Sequence, residues 1–276
     1  MIKFLKRILR ILAFPLILVF KIILFPFELV RRAWRFLNSD SHEGSTKDFW
    51  GHIEDLRWHL FRIVGSIAIA VGVSFYFTVP FMNYLAQPVG GLTKLQAIEV
   101  TEEIGVFMRV ALTSGITIAL PYIAFELWWF AAKGLTAREK RFSLLAIPAA
   151  SILFVVGLGF THYLLIPAAL PFLGGFTEIA QFWTAKEYFG FITGLMLWIG
   201  LFFEFPLVVF VLTYLNLITP RVLAQQWRIA IVVIAILAAA VTPTIDPVNM
   251  GLVMLPMVLL YFASVGLSYF AAALRR

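Results

Sequence analysis

The 276-residue chain has no cysteine, and only 13% of its residues are charged. The first absence excludes disulfides and thiolate metal sites. The second leaves about half the charge of a soluble domain, too little to coat a water-facing surface. What fills the sequence instead is apolar. Hydrophobic residues make up 62% of the chain, Phe alone occurs 28 times, and the mean hydropathy is +0.94. This balance excludes an ordinary soluble globule, a disordered chain and a fibrous repeat, and leaves a polytopic membrane protein. The formal charge of +7 raises the question of nucleic acid. The basic residues, however, sit in short segments between apolar runs. That pattern orients a membrane protein, and no nucleic-acid partner is expected.

A spanning helix needs about 20 mostly apolar residues. Six runs stand out, near 63–79, 106–130, 142–167, 189–215, 229–242 and 250–274. Their length and the lack of period-2 alternation predict an all-α protein rather than a barrel. There is no internal repeat of the kind that builds paired-repeat carriers. With six spans the two termini share a side, and 19 of the 22 Lys and Arg residues fall on it; only Lys94, Arg109 and Lys186 do not. Both termini are therefore expected in the cytoplasm. Trp50, Trp58, Trp128, Trp129 and Trp227 lie at the same boundary, where amphipathic rings are favoured. The fifth run has 14 residues, which reach about 21 Å against an apolar core about 30 Å thick. Two readings stand: a helix buried inside the bundle and extended by polar flanks, or a thinned bilayer beside spans five and six.

Residues 1–37 carry an apolar stretch that tempts a seventh span. Lys21, Glu28, Pro15 and Pro26 interrupt it, and basic clusters flank it on both sides. Spanning would put one cluster outside, so one or two amphipathic helices on the cytoplasmic interface are expected, held by anionic lipid. No small-residue cleavage site follows, which disfavours a cleaved signal peptide. Residues 38–47 are polar and Ser-rich and read as a linker. The membrane domain then covers 48–276.

Three polar features carry information. Just before the first span stands His52-Ile53-Glu54-Asp55-Leu56-Arg57-Trp58-His59. Glu54 and Arg57 suit an i,i+3 ion pair, whereas Asp55 has no equally good basic partner three or four residues away except His59. After the second span comes Leu135-Thr136-Ala137-Arg138-Glu139-Lys140-Arg141, in which Glu139 is the sole acid of a basic loop. Pairing with one of its neighbours is the plain reading of it. Glu204 lies in the fourth span, where an ionisable group is costly and by default functional. Its alternatives are a protonated carboxyl bonded within the bundle or a contact for a partner. Pro206 beside it is expected to bend the helix.

These motifs resemble the TatC family, the polytopic subunit of the twin-arginine protein translocase. The first motif follows the family's H-L-x-E-L-R-x-R, with Ile53, Asp55 and His59 replacing Leu, Glu and Arg. Trp128-Trp129-Phe130 with the 135–141 loop follows W-x-F…L-x-x-x-E-[RK]-R. Phe203-Glu204-Phe205-Pro206 matches F-E-x-P, Thr242-Pro243 with Asp246 resembles T-P…D, and Pro88 fits the first outer loop. The resemblance spans about 48–275. It implies a concave six-helix bundle with short fifth and sixth helices, in the bacterial cytoplasmic membrane. It also implies recognition of signal peptides bearing two consecutive arginines, followed by export of folded cargo. By the same resemblance Asp55 and Glu139 are the recognising carboxylates, with Glu54 sharing the work and Arg57 orienting Asp55. Phe130 and Trp129 would pack beside the arginines. Glu204 and Pro206 would meet single-span Tat components of the TatA and TatB type, Pro88 and Asp246 would shape the outer side, and the chain would self-associate in the complex. Each guanidinium is a planar fork that a carboxylate accepts bidentately, which lysine cannot reproduce.

No enzyme, cofactor or metal site is expected. There is no H-E-x-x-H, and neither Glu102-Glu103 nor Ser114-Gly115 has the context of an intramembrane protease. The rival reading is a small-solute transporter or channel using Arg109, Glu126 and Glu204. Arg109 and Glu126 stand at opposite ends of one helix, about 25 Å apart, which disfavours a single site.

Overall fold

The computed structural model describes residues 48–174, 182–242 and 247–274. The extension 1–37, the linker 38–47 and Asp246 lie outside the described residues. Every regular element among those described is helical. Helix α1 (Asp48–Ser74) is followed by short α2 (Thr78–Leu85) and the long α3 (Glu102–Ala132). Helix α4 (Ala137–Ser143) leads into α5 (Ala146–Phe160), which runs through a π-helical turn (Thr161–Leu165) into α6 (Ile166–Gly174). Helices α7 (Ala185–Phe203) and α8 (Phe205–Tyr214) adjoin at Glu204. Short α9 (Pro220–Gln225) precedes α10 (Trp227–Val241) and α11 (Pro247–Leu274).

Among the described residues, five stretches are long and apolar enough to cross a bilayer: Glu54–Ser74, Glu102–Ala132, Glu139–Pro171, Ala185–Tyr214 and Pro247–Leu274; α10 is a shorter apolar helix. These are the six apolar runs of the sequence, with shifted ends. The fifth is indeed short: α10 has 15 residues and reaches about 22 Å. It is not enclosed by the bundle, though. Only Ile234 and Ala238 are buried, while Ile229, Val232, Val233 and Ile236 are exposed. The bundle-buried reading of this helix is thereby overturned. The sixth helix corrects the expectation of a short one, because α11 has 28 residues. Pro247 opens the helix three residues before the apolar run, at a position where a missing N–H costs nothing.

The core centres on α7, whose Tyr188, Phe189, Ile192, Leu195 and Ile199 are fully buried. The Tyr188 hydroxyl donates to the Leu85 carbonyl oxygen at 2.8 Å, so even this buried phenol is satisfied. Elsewhere large apolar side chains face outward, including Phe61, Val64, Ile69, Ile152 and Leu255. A water-soluble monomer does not expose so much apolar surface, and a bilayer covers it.

Helices in lipid associate through close packing, which favours small residues at the contact. α1 packs along α3, and a Cβ on Gly115 of α3 would lie 2.5 Å from Val71 Cγ2 and 2.8 Å from Val71 Cα. α5 and α7 cross at Gly157 and Gly200, where a Cβ on Gly157 would meet the Gly200 Cα at 2.9 Å. Gly115→Ala is therefore expected to force α1 away from α3 and to destabilise the fold by about 1–3 kcal/mol. Thermal unfolding of the purified protein reads this. An unchanged midpoint would show that the helices yield freely.

On the side of the 75–101 loop, Gln96 pairs with the chain before α7. Its N–H donates to the Trp183 carbonyl (3.0 Å), and its carbonyl accepts from Ala185 N–H (2.9 Å). The Glu102 carboxylate accepts the N–H of Ile98 (2.9 Å) and of Lys186 (2.6 Å). Pro88 opens the one-turn helix Gln87–Val89, after which Gly90 and Gly91 take φ of 95° and 100°, the left-handed region that suits glycine.

Candidate functional site

The end of α1 that precedes the first span lies against the turn between α3 and α4. Asp55 Oδ2 accepts from Lys133 Nζ at 2.5 Å, with Asp55 45% and Lys133 33% exposed. Asp55 thus has a strong basic partner, contrary to the expectation from local spacing. That partner stands 78 residues away, at the C-cap of α3.

Glu139 sits in the first turn of α4. Its Oε2 accepts from the Thr136 backbone N–H (2.9 Å) and the Thr136 hydroxyl (2.7 Å). The Thr136/Glu139 spacing is that of a capping box, in which the acid at the third helical position reaches back to the chain before the helix. The same acid also favours the positive end of the helix dipole. Lys133, which touches Asp55, and Glu139 are six positions apart, so the chain between them spans at most about 20 Å. Two carboxylates from separate elements thus flank one short turn.

The neighbouring residues are placed as follows. Glu54 Oε1 lies 3.5 Å from Arg57 Nη2 in an exposed i,i+3 pair, worth only a few tenths of a kcal/mol. The Arg57 guanidinium also lies 5.8 Å from the centre of the Trp58 ring. Phe130 is half-buried, its ring edge-on to His59 at 5.9 Å, and Trp129 packs edge-on to Phe125 at 5.3 Å. Trp128 is buried, and its indole N–H donates to Ser143 Oγ at 2.9 Å, which fixes α4 to the end of α3.

Beneath this surface is a cluster that spacing alone did not reveal. His59 and Glu126 are both buried, and His59 Nδ1 lies 2.5 Å from Glu126 Oε2. The Tyr122 hydroxyl donates to Glu126 Oε1 at 2.6 Å, and Arg62 Nη1 lies 3.8 Å from Oε2. His59 is one helical turn from Asp55, and Glu126 is one turn from Phe130. The cluster therefore bolts α1 to α3 one turn from Asp55. A signal was present: an acid inside an apolar span demands a partner, and His59 supplies a polar group on the helix that carries the first span.

Glu204 occupies the break between α7 and α8. Its N–H donates to the Leu201 carbonyl (3.1 Å) and its carbonyl accepts from Val208 N–H (3.0 Å). Pro206 is buried in the first turn of α8 and brings no N–H to the helix ladder, as the sequence predicts. The Glu204 Oε1 atom is buried and has no hydrogen-bond partner among the described residues. Arg109, Glu126 and Glu204 are not gathered. Glu126 is engaged by His59 and Tyr122, whereas Arg109 Nη1 lies where a Cβ on Gly190 would sit, only 2.4 Å from it.

The chain as a whole is similar to known proteins. Residues 51–256 match the family described as Sec-independent protein translocase protein (TatC). The TatC protein of Synechocystis is 34% identical over 217 residues, covering 78% of this chain and 85% of the relative. That of Carboxydothermus hydrogenoformans is 35% identical over 224 residues, covering 79% and 91%. A crystal structure titled as the twin arginine translocase receptor TatC superposes with a TM-score of 0.72 at 30% identity, over 80% of this chain and 99% of that one.

Proposed function

The chain belongs to the TatC family and is a membrane component of the Sec-independent, twin-arginine protein translocase, and from that premise we propose that Asp55 and Glu139 read the two arginines of a signal peptide. The observation that carries this is the flanking of a single turn by carboxylates from α1 and α4, each accepting hydrogen bonds rather than buried in the bundle. A carboxylate already oriented by such bonds presents its remaining lone pairs in a fixed direction, which suits a planar guanidinium fork. Phe130 and Trp129 offer apolar faces beside the acids for the residues that follow the arginines.

The further parts of this reading follow the same logic. The chain lies in the bacterial inner membrane with both termini in the cytoplasm, which puts Asp55 and Glu139 where an unexported peptide arrives. The unpartnered Glu204 oxygen accepts a polar group of a single-span Tat component, with the break at Pro206 opening the helix for it. Residues 1–37 lie on anionic lipid ahead of the linker 38–47, and copies of the chain associate within the assembled translocase. The chain itself does no covalent chemistry. Its relatives are named as translocase proteins, and the role fits binding and assembly.

The test uses the full chain in lipid nanodiscs and a labelled peptide with two consecutive arginines. Binding at least about tenfold tighter than to the two-lysine version is expected, the energy of one charge-assisted bond. Equal affinity for the two peptides would contradict the reading. A photoreactive residue at 204 is expected to capture a single-span component, and not the peptide arginines.

A further inference from the structure

We propose that Lys133 is a built-in competitor for the Asp55 carboxylate, occupying the place of a signal arginine until one arrives; this rests on the reading of Asp55 as a recognising carboxylate. Lys133 extends from the C-cap of α3 to a residue on another helix, and its Nζ lies 2.5 Å from Asp55 Oδ2. The pair is not sealed. Both side chains remain partly exposed, at 33% and 45%, so a peptide reaches the carboxylate without unpacking the fold. Water also weakens the pair, as it does for ion pairs near a surface.

The chemistry of the exchange is unequal. Lys133 offers a point charge on a flexible stem, with its Nζ on Asp55 Oδ2. An incoming guanidinium offers two parallel N–H donors matched to both oxygens. Replacing an ammonium with a guanidinium keeps the carboxylate neutralised throughout and adds a bond. Lys133, once released, has a long stem that lets its charge move to water or to lipid phosphate. When the peptide leaves, the lysine returns. The resident cation therefore lowers the affinity of every cationic peptide by one factor and favours release after delivery.

A strut that merely holds Asp55 in position makes the opposite prediction, so the sign of the effect decides. Peptide affinity is measured for the full chain in nanodiscs as wild type, Lys133→Gln, Lys133→Arg, Asp55→Asn and the Asp55→Asn/Lys133→Gln double variant. Competition predicts that Lys133→Gln tightens the two-arginine peptide about three- to fivefold. Lys133→Arg, which holds Asp55 with a fork of its own, should weaken it. The two-lysine peptide should gain by the same factor, because the cost of displacing Lys133 is common to both. In the Asp55→Asn background the gain should vanish, which separates competition from general charge repulsion. Unchanged or weaker binding by Lys133→Gln would overturn the proposal and make Lys133 a strut. If Asp55→Asn alone leaves affinity unchanged, Asp55 does not read the peptide, and the competitor role falls with it.

Discussion

Glu139→Gln is expected to leave the protein folded and to weaken binding of a two-arginine peptide by roughly 10- to 150-fold. The choice of Gln follows from the geometry. Glu139 Oε2 accepts both the N–H and the hydroxyl of Thr136. An amide oxygen in the same place still accepts these bonds, so the start of α4 stays capped. What is lost is the charge. A hydrogen bond to a charged group contributes about 1.5–3 kcal/mol, which corresponds to the stated range of affinity. Glu139→Ala would lose peptide binding as well, but it also removes a cap worth about 1 kcal/mol, so the two effects would be confounded. Calorimetric titration of the peptide, with thermal unfolding alongside, separates recognition from folding. Affinity within about twofold of wild type would remove Glu139 from the site.

The second large effect is on stability. Glu126→Ala is expected to destabilise the protein by about 3 kcal/mol, in the range for breaking a buried pair by deleting one partner. Glu126 receives bonds from two sides, the Tyr122 hydroxyl at 2.6 Å and His59 at 2.5 Å. Truncation removes the acceptor that buried His59 and the half-buried Tyr122 hydroxyl share at the contact between α1 and α3. Glu126→Gln keeps the volume and an acceptor for Tyr122, and should cost about 1 kcal/mol. The difference in unfolding midpoint between Ala and Gln is the measurement. If both variants match wild type, the cluster is not a bolt between the helices. The peptide readout should move too, since His59 lies one turn from Asp55 and against Phe130.

Much of this fold is legible in the chain, because a bilayer allows few solutions. Apolar runs separated by basic loops give the spans, and the Phe203-Glu204-Phe205-Pro206 sequence gives the break in the fourth, since proline supplies no N–H to the ladder. The shortness of α10 is likewise a matter of counting residues between Arg228 and Pro243. Its exposure was not, because the number of neighbours around a helix is not encoded in its own length. The expectation of a short α11 came from the resemblance alone; the apolar run near 250–274 already covers most of its 28 residues.

The site divides in the same way. Motif and charge placed Asp55 and Glu139 on neighbouring segments, and the i,i+3 pair of Glu54 and Arg57 follows from spacing. The contacts between helices did not follow. Lys133 with Asp55 and His59 with Glu126 join residues 78 and 67 positions apart, and no periodicity within one helix announces such a pair. An acid in an apolar span shows only that a partner exists, and packing decides which.

The central claim is that carboxylates from two separate elements hold one peptide's paired arginines. It is tested most directly by placing a photoreactive residue at 55 or at 139 in the membrane-embedded chain and adding the labelled peptide. The account predicts adducts from both positions, mapping beside the arginines and disappearing when these become lysines. Adducts from neither position, or adducts insensitive to the arginines, would contradict it.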